Sequence, residues 1–229
     1  DLGIQLLKNG EPALNVCERV VMFLEDDSLF NAGKGAVFTA EGTHELDASI
    51  MNGQTLACGA VTGLKTVKNP IRLARAVMEK TPHVFLSHDG AEQFANTLPE
   101  IDRVPNTYFS TQSRKKNYEK SILKMDKKGT VGVVVLDNNG NLAAATSTGG
   151  TSMKRFGRIG DSPVIGAGTY ANNLTCAISC TGTGEEFIRH GVAKTISDMM
   201  QYGNFSLKQA SEHLIFKILK AGDGGLISI

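Results

Sequence analysis

GTVGVVVLDNNGNLAAATSTGG, residues 129–150, is the stretch on which the reading of this chain turns. TVGVVVLD and NLAAATS are runs of small and apolar residues, and NNG between them makes a tight turn with Gly140 free to take a positive φ, so the segment reads as a β-hairpin. Its first two residues matter most. Gly129-Thr130 stands where a charged, patternless run gives way to a buried apolar strand. Were that peptide bond cut, Thr130 would lead the strand with its own α-amine beside its hydroxyl, which is an established way of activating a weak nucleophile without a histidine. The plain alternative is a strand-leading Thr with no special role.

Upstream of the hairpin, residues 99–129 carry no sustained apolar face. SRKKNYEKSILKMDKK holds seven basic and two acidic side chains, so the stretch reads as a solvated, mobile linker. Before it, Ala13, Val16, Val20, Val21 and Leu24 recur at helical spacing. HELDASIM and LACGAVTG read as strands, Asn69-Pro70 opens a helix, and HVFLSHDG reads as a short strand and turn. Downstream, PVIGAGTY and TCAISC read as strands. One helix is expected from about Gly184 to Tyr202, and another opens at the capping box Ser206-Leu-Lys-Gln209. This order favours α+β layers over a doubly wound sheet.

Composition narrows the function. The 229 residues carry 24 Lys+Arg against 23 Asp+Glu, a net charge of +1, which speaks against a nucleic-acid partner. No apolar run reaches transmembrane length and no signal peptide opens the chain. Cys17, Cys58, Cys176 and Cys180 form no CxxC pair and read as buried thiols in a reducing compartment, so a cytoplasmic location is expected. GAGTYA at 166–171 fits G-x-G-x-x-A, but a turn and a strand follow it where a dinucleotide site needs a helix. The five histidines show neither metal-ligand spacing nor a serine-hydrolase elbow.

Three further stretches converge with Thr130. Thr146 to Gly150 ends the second hairpin strand and so lies beside the start of the first. Gly157-Arg158-Ile159-Gly160-Asp161-Ser162 places a guanidinium and a carboxylate three apart between glycines, suited to the carboxylate and ammonium of an amino acid. Thr181-Gly182-Thr183-Gly184 ends a strand before a helix, where a hydroxyl and backbone N–H groups can face an oxyanion.

With these in place the chain resembles the plant-type L-asparaginase/isoaspartyl peptidase family of N-terminal nucleophile hydrolases. The resemblance is carried by LEDDSLFNAGKGAVFTAEGTHELDASIMNG, the 129–150 hairpin, GRIGDSPVIGAGTYANN and SCTGTGEEFIR, and extends over nearly the whole chain. It implies a four-layer αββα sandwich in a single domain over residues 1–229. The precursor is expected to cut itself at Gly129-Thr130 into an α part and a β part. It then implies Thr130 as nucleophile, Thr148 as the supporting hydroxyl, and Arg158 and Asp161 as binders of the substrate α-carboxylate and α-ammonium. Thr181 and Gly182 become the oxyanion site, and Asn31 a neighbour of the scissile group. It implies a structural Na⁺ on a loop formed by Leu24, Glu25, Asp27, Phe30, Ala32 and Lys34, no cofactor for the chemistry, and a dimer of αβ heterodimers. The implied activity is hydrolysis of L-asparagine or β-aspartyl dipeptides to L-aspartate. Glycosylasparaginases share GDSP but usually follow an Asp-Thr cut, and the threonine-aspartase branch departs from GRIGDS. The family opens with a Gly-rich strand and continues past a GGLISI-like segment, so terminal strands are expected beyond these residues. That expectation also motivates the competing reading, a truncated, unprocessed homologue that only binds or scaffolds.

Overall fold

Residues 2–121 and 129–229 are described by a computed structural model. Its helices are α1 (Leu2–Lys8), α2 (Ala13–Glu25), α3 (Pro70–Lys80), α4 (His88–Asn96), α5 (Gln112–Ser121), α6 (Gly184–His190), α7 (Val192–Gly203) and α8 (Leu207–His213). Its strands are β1 (Leu46–Asn52), β2 (Cys58–Leu64), β3 (Phe85–Ser87), β4 (Val131–Leu136), β5 (Leu142–Thr148), β6 (Thr169–Ala171), β7 (Ala177–Gly182) and β8 (Gly224–Ser228). The hairpin of β4 and β5 pairs Val131 with Ser147 and Leu136 with Leu142, and Gly140 turns it at φ 80°.

Two sheets result, one ordered β3-β2-β1-β5-β4 and the other β6-β7-β8. β5 shows why they stack. Side chains alternate across a strand, so Ala143 and Ala145 join the core under α2 and α3, while Leu142 and Ala144 join the core shared with β6, β7 and α7. The alanines are small enough for a helix on one side and a sheet on the other to approach closely. The layers are therefore α2 and α3, the five-stranded sheet, the three-stranded sheet, and α6 to α8. This is the αββα sandwich. The sheets also touch at Gly132 of the edge strand β4, where a Cβ would collide with Ser179 of β7.

Local signals performed well where the signal was chemical. α3 starts as expected, with Asn69 at its N-cap position and Pro70 in its first turn, although the Asn69 side chain bonds Asp26 and not the helix end, and the Ser206–Gln209 capping box forms in full. GAGTYA leads into β6 and then β7, with no helix behind it. Four expectations need correcting. PVIGAGTY turns over most of its length and joins a strand only from Thr169 in β6, and the turn read after HVFLS is the first turn of α4. The helix read from Gly184 to Tyr202 is broken at Gly191, whose φ of 52° caps α6 and restarts as α7. The expected linker 99–129 carries structure over much of its described length: Ile101 and Phe109 are buried in the core, and α5 forms over 112–121. α5 has no amphipathic face to announce it. Arg114 Nε donates to the Gly35 carbonyl at 2.6 Å, and Tyr118 stacks on Phe38 with ring centres 5.0 Å apart, so tertiary contacts hold a helix that periodicity does not show. Residues 122–128 of that expected linker lie outside the described residues.

Candidate active site

Thr130 sits one residue before β4, half-buried, and the register carries it to the end of β5. Its hydroxyl stands 3.3 Å from the Thr148 hydroxyl and donates to it. Thr148 faces inward on β5 and is buried; it donates in turn to the Gly129 carbonyl at 3.0 Å and accepts from Gly150 N–H at 3.0 Å. The same carbonyl receives a second donor, Asn31 Nδ2, at 2.8 Å. Asn31 is buried and fully engaged: Nδ2 also donates to the Gly150 carbonyl at 2.8 Å, and Oδ1 accepts from Val37 N–H at 2.8 Å. The peptide carbonyl just before Thr130 is thus polarised from two sides, while the Thr130 hydroxyl is oriented by a neighbour that can take up its proton.

Across a narrow cleft lie Arg158, Gly160, Asp161, Ser162 and Gly182, which line one small cavity with Gly129, Thr130 and Thr148. Its free volume is only about 10 Å³, and Gly129 forms part of its wall. Asp161 is buried, and its Oδ2 has no hydrogen-bond partner. Burial pushes its carboxyl up to about 6, against the opposing pull of backbone N–H groups and Arg158. A buried acceptor without a donor, beside a guanidinium, is the arrangement an incoming ammonium would complete. Thr181 stands apart from this cleft: it lines a larger cavity of about 420 Å³ on the other side of Thr130, together with Ser179, Cys180 and residues of β8. Among the described residues, the donors on the Gly129 carbonyl are Asn31 and Thr148, not Thr181 and Gly182.

Several supporting residues escaped the sequence reading. Ser49 Oγ lies 2.6 Å from the Ser162 carbonyl and 2.8 Å from Thr169 Oγ1, and Thr169 reaches Thr146 at 2.6 Å. Thr146 and Ser179 are 2.7 Å apart, so a buried chain of hydroxyls links both sheets and holds the Asp161 turn. On the outer face of β5, Ser147 Oγ donates to Glu25 Oε1 at 2.6 Å, and Ile71 N–H at the start of α3 donates to the same oxygen at 3.1 Å. Burial raises the Glu25 carboxyl to about 8. Lys154 is buried beneath Gly150 and donates to the Glu45 carbonyl at 3.0 Å. Alternation on β5 hinted that Thr146 and Thr148 face inward; nothing local marked the rest.

The loop after α2 winds back on itself. Lys34 N–H donates to the Glu25 carbonyl at 2.7 Å, and a Cβ at Gly35 would stand 2.5 Å from the Ser28 carbonyl and 2.7 Å from that of Phe30. Converging carbonyls of this kind suit a hard cation. Among the described residues, no His, Cys, Asp and Glu side chains gather as a metal site.

A strand-leading Thr beside an oriented hydroxyl, with a polarised carbonyl and a carboxylate–guanidinium cleft, is the layout of an N-terminal nucleophile hydrolase. Comparison with known proteins agrees: residues 1–229 match the family model described as asparaginase. The chain belongs to the asparaginase family. It is 48% identical to the isoaspartyl peptidase of Escherichia coli over 248 residues, covering 100% of this chain and 76% of that protein. It is 42% identical to a probable isoaspartyl peptidase/L-asparaginase of Arabidopsis thaliana, covering 100% of this chain and 80% of the relative. For the isoaspartyl peptidase/L-asparaginase of Mus musculus the identity is 43%, over 99% of this chain and 72% of the relative. No described helix is long and apolar enough to cross a membrane.

Proposed function

We propose that this asparaginase-family chain is a self-processing threonine amidohydrolase that releases L-aspartate from L-asparagine and from β-aspartyl dipeptides. The observation that carries the proposal is the Gly129 carbonyl, held by Asn31 Nδ2 and Thr148 Oγ1 next to the Thr130 hydroxyl. In the uncut chain the Thr130 Oγ attacks the Gly129 carbonyl carbon, and its proton is relayed through the Thr148 hydroxyl to the departing Thr130 nitrogen. Asn31 and Thr148 stabilise the oxyanion, the C–N bond breaks, and Thr130 is left as an ester that water hydrolyses. The departure of Gly129 opens the cleft.

The freed α-amine of Thr130 then serves as the base. Oγ attacks the side-chain amide or isoaspartyl carbonyl, with Arg158 on the substrate α-carboxylate and Asp161 on its ammonium. Ammonia or the downstream peptide leaves, and water releases aspartate from the β-aspartyl ester. Gly182, which lines the substrate's cleft, and Thr181, which precedes it on the neighbouring cavity, are the proposed oxyanion site for the substrate. A structural Na⁺ held by carbonyls of the Leu24–Lys34 loop would brace the Asn31 turn, and a dimer of αβ heterodimers completes the assembly. The free cysteines, three of them buried, suit a reducing compartment such as the cytoplasm.

Mass spectrometry of the purified protein tests the reading. Wild type should give two fragments divided before Thr130, and Thr130→Ala a single inactive species; complete division of the alanine variant would refute it.

A further inference from the structure

The Arg158 guanidinium already has a partner. Its Nε and Nη2 each lie 2.9 Å from one carboxylate oxygen of Glu185, a side-on, two-bond fork. The group is also confined in space. A Cβ at Gly160 would stand 2.8 Å from Nη1 and one at Gly184 would stand 2.9 Å from Nη2, so neither position admits a side chain without displacing the guanidinium. Glu185 is the second residue of α6, and Gly160 belongs to the Asp161 turn, so the plate is clamped between two separate elements that meet only in the folded chain. Arg158 lines the cleft shared with Thr130 and Asp161, and with Nε and Nη2 engaged by Glu185, Nη1 is its nitrogen outside that fork.

We propose that Glu185 is a positioning residue for substrate recognition: it fixes Arg158 side-on in the slot between Gly160 and Gly184, so that the Nη1 end meets the substrate α-carboxylate. The proposal rests on the amidohydrolase reading above. Two effects of Glu185 oppose each other. Its charge offsets that of Arg158, which by itself would weaken the hold on an anion; its fork removes the rotational freedom of a long side chain, which strengthens it. Partial exposure decides between them. The Glu185 side chain is 47% exposed and that of Arg158 19%, so solvent weakens the effect of the Glu185 charge on a more distant bound carboxylate more than it weakens the contact fork on Arg158.

Glu185→Gln tests this, since the amide keeps the size but has one acceptor in place of two. Processed wild type, Glu185→Gln and, as control, Arg158→Lys are compared on L-asparagine and on 3-aminopropanamide, the same substrate without its α-carboxylate. Glu185→Gln should raise KM for L-asparagine about tenfold, the loss of one charge-assisted hydrogen bond, with kcat little changed. Its kcat/KM on 3-aminopropanamide should equal wild type, which a general disturbance of the fold would not spare. Calorimetric titration with L-aspartate should show the same loss of affinity without turnover. A KM that is unchanged or lower, alongside a raised KM for Arg158→Lys, overturns the role of Glu185 and leaves the function standing. A wild type that neither turns over L-asparagine nor binds L-aspartate overturns both.

Discussion

Replacing Asn31 by Ala removes one of the two donors from the carbonyl that must become an oxyanion. The structure allows the effect to be sized. Asn31 Nδ2 and Thr148 Oγ1 stand 2.8 and 3.0 Å from the Gly129 oxygen, so the loss is of the nearer donor, in a buried place where water is a poor substitute. Removing a single oxyanion donor slows acyl transfer by about 100- to 1,000-fold. A second cost is structural. The Gly150 carbonyl and Val37 N–H lose their Asn31 partners, and each unpaired buried group costs about 1–3 kcal/mol. Self-cleavage and folding must therefore be read separately. Synthesis is pulsed in a cell-free system and processing followed on denaturing gels, with thermal melting of the same samples. Asn31→Ala should accumulate as a slowly processed single chain with a lowered Tm. Val21→Ala, which shortens a buried side chain of α2 away from the cleft, should match the Tm loss but process at the wild-type rate. Wild-type processing by folded Asn31→Ala, or equal slowing in Val21→Ala, would refute the assignment of Asn31 to the oxyanion.

Other consequences follow from the buried carboxyls and the clamp. Asp161 binds an ammonium only as a carboxylate, and burial places its titration at about 6, so kcat/KM should fall as pH drops through 6, a limb that a pH–rate profile on L-asparagine would show and that Asp161→Asn should abolish along with most binding. Arg158→Lys should raise KM strongly, because an ammonium cannot fork onto a carboxylate; steady-state kinetics with β-aspartyl dipeptides reads this directly. Glu25 is an acid whose folded value, about 8, lies above its unfolded one, so the folded state holds the proton more tightly and stability declines as pH rises from about 4.5 to 8. Glu25→Gln, neutral at every pH, should flatten that decline, and Tm measured at pH 5 and pH 8 should show the variant gaining on wild type at the higher value.

The hairpin, the Asn69-Pro70 helix start and the Ser206 capping box were legible because each is decided by residues within a few positions of one another. The chemical type of the site was legible too: a Gly-Thr junction before an apolar strand, an Arg and an Asp between glycines, and a hydroxyl at the end of the partner strand each carry their chemistry in their composition. Pairing Thr130 with Thr148 needed only the hairpin register. What the chain's order could not disclose were contacts between distant segments. Asn31, placed beside the scissile group only by the family resemblance, reaches Gly129 across 98 residues, while Ser49 reaches Ser162 across 113 and Ser147 reaches Glu25 across 122. α5 was hidden for the same reason, since its anchors lie on the loop that carries Asn31. Sequence by itself thus determined which groups could react, through local propensity and residue chemistry. Only the tertiary structure decided which donors meet the scissile carbonyl and which acid holds Arg158, because those partners are set by how the two sheets pack.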